Sequence, residues 1–164
     1  MRYIAFVIVM AGVMSPIAQS LPTVQFNLAT IVNSGSTNTA GFRIDVRRSG
    51  TAEYTSVPRG ANAAREEPEK SDREIPKDLA SRLFADLEAA KPLGRLPAPH
   101  RMKSKSFGSR LTIEFAGETT PDLNSGDGGD EHLRAIIRDV NEMIAYFRSN
   151  QERSSRAPQE SGHL

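Results

Sequence analysis

Seven apolar residues recur at helical spacing between positions 133 and 147, and they constrain the fold more than any other pattern in the chain. They are Leu133, Ile136, Ile137, Val140, Met143, Ile144 and Phe147. A stripe of this kind has to be buried against a second apolar surface. Asp130 lies just before the stripe, where a carboxylate commonly caps the start of a helix. We therefore expect a long helix packed on a partner, in a chain of 164 residues that suits one domain.

Alternating apolar and polar residues predict the strands that form this partner. The alternation occurs at 24–28, 42–46 and 111–115, and a short return strand is expected at 119–120. Between the second and third strands, a three-residue turn with Gly50 in the left-handed conformation places Val46 opposite Ala52 and Ile44 opposite Tyr54. A two-residue turn would place Val46 opposite Glu53 instead. The three-residue turn keeps the apolar side chains on one face, so we favour that register.

A second helix is expected between Pro76 and Pro92, because prolines are favoured at the first helical position and stop a helix further on. Its apolar stripe consists of Leu79, Leu83, Phe84, Leu87 and Ala90. The order is then strand, hairpin, helix, hairpin, helix. We predict an α+β fold in which an antiparallel sheet of four or five strands carries both helices on one face.

The first twenty residues are typical of a secretory signal peptide. Arg2 provides the positive start, an apolar run follows to Met14, and Ala18 and Ser20 place small residues before a cut at Leu21. The domain is expected to span 21–148, with a mobile loop at 59–74 and a disordered tail at 149–164. We therefore expect a periplasmic or secreted protein without stable membrane insertion after the signal is removed.

Charge and composition disfavour several classes of partner. Removing Arg2 with the signal lowers the number of basic side chains from 21 to 20, which equals the 20 acidic ones. A neutral chain is not steered towards nucleic acids, and without tryptophan it has few rings to stack on bases. The chain also has no cysteine, so its core has to fold without disulfides.

No motif predicts catalysis, a cofactor or a metal site. The three histidines, His100, His132 and His163, have no ligand spacing. The oxygen-rich segment that runs from Asp122 to Asp130 lacks the glycine and glutamate positions of an EF-hand loop, which favours a capped loop over a calcium site. Because nucleophile motifs are also missing, we expect that the protein is not an enzyme.

Residues 100–125, HRMKSKSFGSRLTIEFAGETTPDLNS, resemble part of a group of small exported bacterial proteins of uncharacterised function. Members of that group carry a cysteine after the histidine and another after the Pro-Asp-Leu element. Here those places hold Arg101 and Ser125, so the implied disulfide is missing at both ends. The resemblance implies that Met102, Phe107 and Leu123 lie in ordered structure, and it transfers no function.

A basic segment supplies the candidate interaction surface. Six basic residues and no acid lie between Glu88 and Glu114, and six acidic residues with no base follow before Arg134. The basic block either docks an anionic partner or neutralises the acidic block within the fold, and we favour the second interpretation. The residues that we assign to the surface are His100, Arg101, Lys103, Lys105 and Phe107.

We therefore expect an exported, non-catalytic binding domain whose partner is another exported macromolecule, captured for example by strand addition at a sheet edge. One alternative is an inhibitor of an extracytoplasmic enzyme, with the 93–109 connection as its protruding loop. The other alternative is a hydrolase whose site has an unrecognised form.

Overall fold

The structure is a computed structural model that describes residues 26–37, 39–58, 67–98 and 108–156, with side chains up to 149. Its elements are β1 (Leu28–Asn33), β2 (Gly41–Arg47), β3 (Thr51–Val57), β4 (Lys70–Glu74), α1 (Lys77–Ala89), β5 (Leu111–Phe115), β6 (Glu118–Thr119) and α2 (Glu131–Arg156). The six strands form one antiparallel sheet in the order β4-β3-β2-β1-β5-β6. The α+β class is confirmed, but the sheet has one strand more than the four or five that we predict.

One face of the sheet, here called the inner face, carries the core in cross-strand rows. In the central row, Ile113, Ile31, Ile44 and Tyr54 lie side by side on four neighbouring strands. The three aliphatic residues of this row are at most 1% exposed. Rings from both helices contact this face, because Phe84 of α1 packs on Phe115 and Phe147 of α2 packs on Tyr54. The sheet and the two helices therefore enclose one core.

The hairpin between β2 and β3 adopts the register that the three-residue turn predicts. Val46 pairs with Ala52, and Ile44 pairs with Tyr54. Gly50 has φ = +95°, a conformation that L side chains rarely adopt. This register is confirmed, and it places the apolar residues of both strands on the inner face.

The alternating residues Phe26 and Leu28 do not form the buried face of β1, since both side chains are exposed. Ala29 and Ile31 occupy the inner face instead, at 0% exposure. Apolar residues between Leu28 and Val32 occupy both faces of the strand, so the sequence alone does not show which face is buried. Pairing with β2 and β5 places Ala29 and Ile31 on the inner face.

The extra strand lies in the segment that we predict as a mobile loop at 59–74. Residues 59–66 fall outside the described residues, and Lys70–Glu74 forms β4 at the edge of the sheet. Its backbone pairs with β3, from Thr51 opposite Glu74 to Thr55 opposite Lys70. All five side chains are polar, so the sequence has no apolar alternation there from which to predict a strand.

Both helices bury the stripes that their sequences predict, with one difference in α2. The buried residues of α1 are Leu79, Ala80, Leu83, Phe84 and Leu87, and Pro76 precedes the helix as its cap residue. In α2 the buried residues are Leu133, Ile136, Asp139, Val140, Met143 and Phe147. Ile137 and Ile144 are only partly buried at the margin of the stripe. Asp130 caps this helix as predicted, since its Oδ1 accepts the backbone N–H of Leu133 at 2.8 Å.

α2 continues to Arg156, into the segment 149–164 that the sequence predicts to be disordered. No apolar residue follows Phe147 within α2, but Gln, Glu, Arg and Ser are compatible with a helix. Residues 157–164 lie outside the described residues. Within the described ranges, no helix has the length and apolarity needed to cross a membrane.

Two adjacent isoleucines give a matched test of this packing. We expect Ile136→Ala to lower the free energy of unfolding by about 2–5 kcal/mol, because the side chain is fully buried and leaves a cavity. Ile137→Ala should cost clearly less, since its side chain is partly exposed. Urea unfolding of the two variants measures the difference, and equal losses would contradict the orientation of α2.

Candidate functional site

A cleft with an aromatic floor lies between the inner face of the sheet and the second half of α2, and we call it the aromatic cleft. Its volume is about 360 Å³. Its apolar floor is formed by Phe42, Ile44, Tyr54, Ile144 and Phe147. The rings of Phe42, Tyr54 and Phe147 stack in sequence, with centroids 5.8 Å apart at each step. A stack from two strands and a helix gives this floor a fixed shape.

A second cleft of about 500 Å³ adjoins the first and shares Asn33, Ile144 and Arg148 with it. We call the two together the α2 groove. Its only charged residue among the described lining residues is Arg148. The guanidinium of Arg148 forms no ion pair or side-chain hydrogen bond with any residue that the structure describes. The groove therefore combines an apolar floor with one uncompensated positive charge where its two halves meet.

The loop between β1 and β2 forms the polar rim of the aromatic cleft. It contributes Ser36, Thr39 and Ala40 to the lining. Ser36 and Thr39 pair through their backbones, with Ser36 N donating to Thr39 O at 2.9 Å. Gly35 makes this closure feasible, because its φ is +63° and an added Cβ would lie 2.5 Å from Thr39 O.

The same loop is tied to the residues that precede β5. Ser34 N donates to Arg110 O at 2.8 Å, and Arg110 N donates back to Ser34 Oγ at 2.9 Å. On the other side, Asn124 donates to both oxygens of Ser109 at 3.3 Å. Asn33 lines the groove, and its Oδ1 accepts the N–H of Gly35 at 2.8 Å. The rim is therefore held in place without a ligand.

A buried carboxylate pair lies elsewhere, between the two helices. Asp139 of α2 is fully buried, and its Oδ1 accepts from Arg138 at 3.1 Å and lies 3.5 Å from Arg82 Nε. Its Oδ2 has no hydrogen-bond partner among the described residues. Asp86 of α1 adjoins it and pairs with Arg138 at 3.2 Å.

The pKa of Asp86 is raised above its ordinary value. Burial of the carboxyl is the largest cause, followed by the negative charge of Asp139 and a hydrogen bond with it. When Asp86 is protonated, its carboxyl can donate a hydrogen bond to the carboxylate of Asp139. Neither carboxylate lines the α2 groove. We therefore interpret this pair as a polar contact that joins the helices and not as an acid–base site.

The face of the sheet opposite the helices, here called the outer face, carries many charged side chains, and some of them are paired. One cross-strand row contains Glu114, Thr30, Asp45, Glu53 and Asp72. Burial alone would raise the pKa of Asp45, but hydrogen bonds from Arg43 and Thr30 lower it below the ordinary value. Lys70 lies 3.7 Å from Glu53. These contacts compensate the charges of Asp45 and Glu53.

A third cleft, of about 420 Å³, lies along β3 and β4. Its lining consists of Arg47, Thr51, Ala52, Glu53, Asp72, Arg73 and Glu74. Five of these seven are charged, two basic and three acidic, and none is aromatic, so the cleft offers no ring floor and no single strong charge to a ligand. The edges of the sheet are short as well, since β4 has five residues and β6 has two. Strand addition to either edge would gain few backbone hydrogen bonds.

The predicted interaction surface, His100, Arg101, Lys103, Lys105 and Phe107, lies outside the described residues. Of the described part of the 93–109 connection, Leu93 is fully buried and Ser109 lines the aromatic cleft. Lys91, from the basic block, lies over the rings of Phe26 and Phe115 at 4.7 and 4.8 Å. Leu123, which the resemblance implies to be ordered, is buried.

The oxygen-rich segment before α2 uses its carboxylates locally. Asp122 accepts the N–H groups of Leu111 and Asn124, each at 3.1 Å. The N–H of Gly129 and the side chain of Arg134 both donate to Asp127 and lower its pKa. Over the described ranges, no three His, Asp or Glu side chains converge as a metal site would require.

Comparisons with known proteins do not identify a family for this chain. No protein-family model matches the chain, and a search of curated proteins returns no match. The interpretation of the α2 groove therefore depends on its own residues.

The carboxylate pair predicts a pH dependence of stability. Because the pKa of Asp86 is raised on folding, its proton stabilises the fold at low pH, and that contribution is lost as pH rises from about 4 through the raised value. Asp86→Asn keeps a donor beside Asp139 at every pH. The difference in free energy of unfolding, wild type minus variant, should therefore fall as pH rises.

Asp72→Asn, at an exposed position on the outer face, is the matched control and should show no such fall. Urea unfolding at a series of pH values measures both variants. A constant difference for Asp86→Asn would rule out the shared proton.

Proposed function

We propose that this protein is an exported, non-catalytic binding domain that holds the apolar ring system of a small molecule in the aromatic cleft. The observation that carries the proposal is the stack of Phe42, Tyr54 and Phe147 beneath a polar rim. Ligand sites commonly combine an apolar, aromatic floor with a few fixed polar groups, in volumes of roughly 300–1,000 Å³. The aromatic cleft has this composition, and its volume of about 360 Å³ suits one or two fused rings.

Export is supported by the signal-like character of residues 1–20. A periplasmic or secreted domain meets small apolar and amphipathic molecules, for which a cleft is a suitable receptor. The sequence alone favours an exported macromolecule as the partner. The short edges of the sheet and the concave shape of the groove favour a small ligand instead.

The lining of the groove also favours binding over catalysis. None of its described residues is an acid, a histidine or a lysine, the side chains that usually supply a general base. The hydroxyl groups of Ser36, Thr39 and Ser109 line the cleft, and Ser109 makes hydrogen bonds with Asn124. Hydroxyl groups without an adjacent base are poor nucleophiles.

The alternative of an enzyme inhibitor requires the 93–109 connection to protrude as a rigid loop. The start of this connection is anchored instead, because Leu93 is buried and its N–H donates to Glu118 Oε2. The described part of the connection therefore gives the inhibitor hypothesis no support beyond the sequence.

Filling the cleft tests the proposal. Ala40 is exposed and lines the rim, so Ala40→Phe places a ring in the mouth of the aromatic cleft. We expect this change to weaken binding of the neutral fluorescent probe phenylnaphthylamine by about fivefold or more, since overpacking typically costs at least about 1 kcal/mol. Fluorescence titration measures the dissociation constant.

Ala85→Phe is the matched control, because Ala85 is an exposed residue of α1 away from the groove. It should bind the probe as the wild type does, and thermal unfolding should show that both variants are folded. Failure of the wild type to bind the probe, or equal affinity in the two variants, would contradict the proposal.

A further inference from the structure

We infer that the ligand carries a single oxyanion, held by Arg148 at the junction of the two clefts, next to the apolar rings in the aromatic cleft. This inference rests on the proposed function and names its ligand class. The groove has no described acidic residue that could compensate Arg148, so an anionic group is the complement that its electrostatics require.

The position of Arg148 makes it suitable as an anchor. It lines both clefts, and it follows Phe147, whose ring forms the end of the aromatic stack. A ligand whose rings occupy the floor therefore brings its polar end to the guanidinium. Arginine presents a planar fork of donors that matches a carboxylate or sulfonate in a bidentate arrangement.

Neutral donors extend the anion site. Asn33 lines both clefts, and because its Oδ1 accepts the N–H of Gly35, its Nδ2 is the group left to donate to a ligand. Asn141 lies on α2 and lines the second cleft of the groove. Amide donors beside one arginine stabilise a monoanion without adding further charge.

The charge balance distinguishes Arg148 from the other arginines near α2. Arg134 is paired with Asp127, and Arg138 is paired with Asp86 and Asp139. Arg82 is surrounded by Asp78, Asp139 and Glu142. These three guanidinium groups are used within the protein, whereas that of Arg148 faces the groove without a counter-charge among the described residues. One uncompensated charge matches one negative charge on the ligand.

Two fluorescent probes that differ only in one anionic group test the role of Arg148. Anilinonaphthalene sulfonate and phenylnaphthylamine share the same rings and differ by the sulfonate. Arg148→Gln should weaken binding of the sulfonate probe by about tenfold, the usual effect of losing a charge-assisted hydrogen bond. It should change the affinity for the neutral probe by no more than about twofold. Arg148→Lys should retain most of the affinity for the sulfonate, because the positive charge remains.

Arg47→Gln is the matched control, since it removes the same charge from the outer-face side of β2 and should change neither titration. If Arg148→Gln leaves the affinity for the sulfonate unchanged while the neutral probe still responds to Ala40→Phe, the anion site is wrong and the proposed function stands. If neither probe binds the wild type, both are wrong.

Competition decides the charge of the ligand. Naphthoate, a monoanion, should displace the bound sulfonate more readily than naphthyl phosphate, because a single arginine leaves the second charge of the phosphate uncompensated. Stronger competition by the phosphate would overturn the assignment of a monoanion.

Discussion

The burial of α2 against the inner face of the sheet is the interaction on which the rest of the structure depends. Its residues Val140, Met143 and Phe147 are at most 1% exposed, and Phe147 ends the ring stack that begins at Phe42. Without a disulfide, this apolar contact and that of α1 have to stabilise the domain. The second half of α2 also forms one wall of the groove, so the same helix provides stability and the candidate site.

Polar contacts then fix how the layers are arranged. The Asp86–Asp139 contact with Arg138 joins the helices, and an isolated charge at Asp139 would be costly because the residue is fully buried. Tyr146 links α2 to the edge strand β4 by donating its hydroxyl hydrogen to Glu74 O at 2.8 Å. Such contacts determine a unique helix position better than apolar packing alone. They therefore preserve the shape of the groove.

Periodicity in the sequence predicts the helices and strands that contain apolar repeats. It does not predict a strand that forms only because its backbone pairs with a neighbouring strand. The hairpin around Gly50 and the stripes of both helices are predicted correctly, down to the pairing of Val46 with Ala52. The edge strand at Lys70–Glu74 is missed, because its side chains are polar on both faces. The groove is missed for another reason: Tyr54 and Arg148 are far apart in sequence, and only the packing of α2 on β3 brings them to one site. Ile144 and Arg148, four residues apart at the margin of the apolar stripe, are the only hint that the sequence contains.

Mapping of amide chemical shifts by NMR, with phenylnaphthylamine added to the intact protein, tests the central claim most directly. The rim and wall of the aromatic cleft should respond first, with the largest changes at the amides of Ser36, Phe42, Ile144 and Phe147. The outer face, for example Arg43, should remain unchanged because it lies on the opposite side of the sheet. Changes that are largest along β3 and β4, or spread evenly over the surface, would contradict binding in the α2 groove.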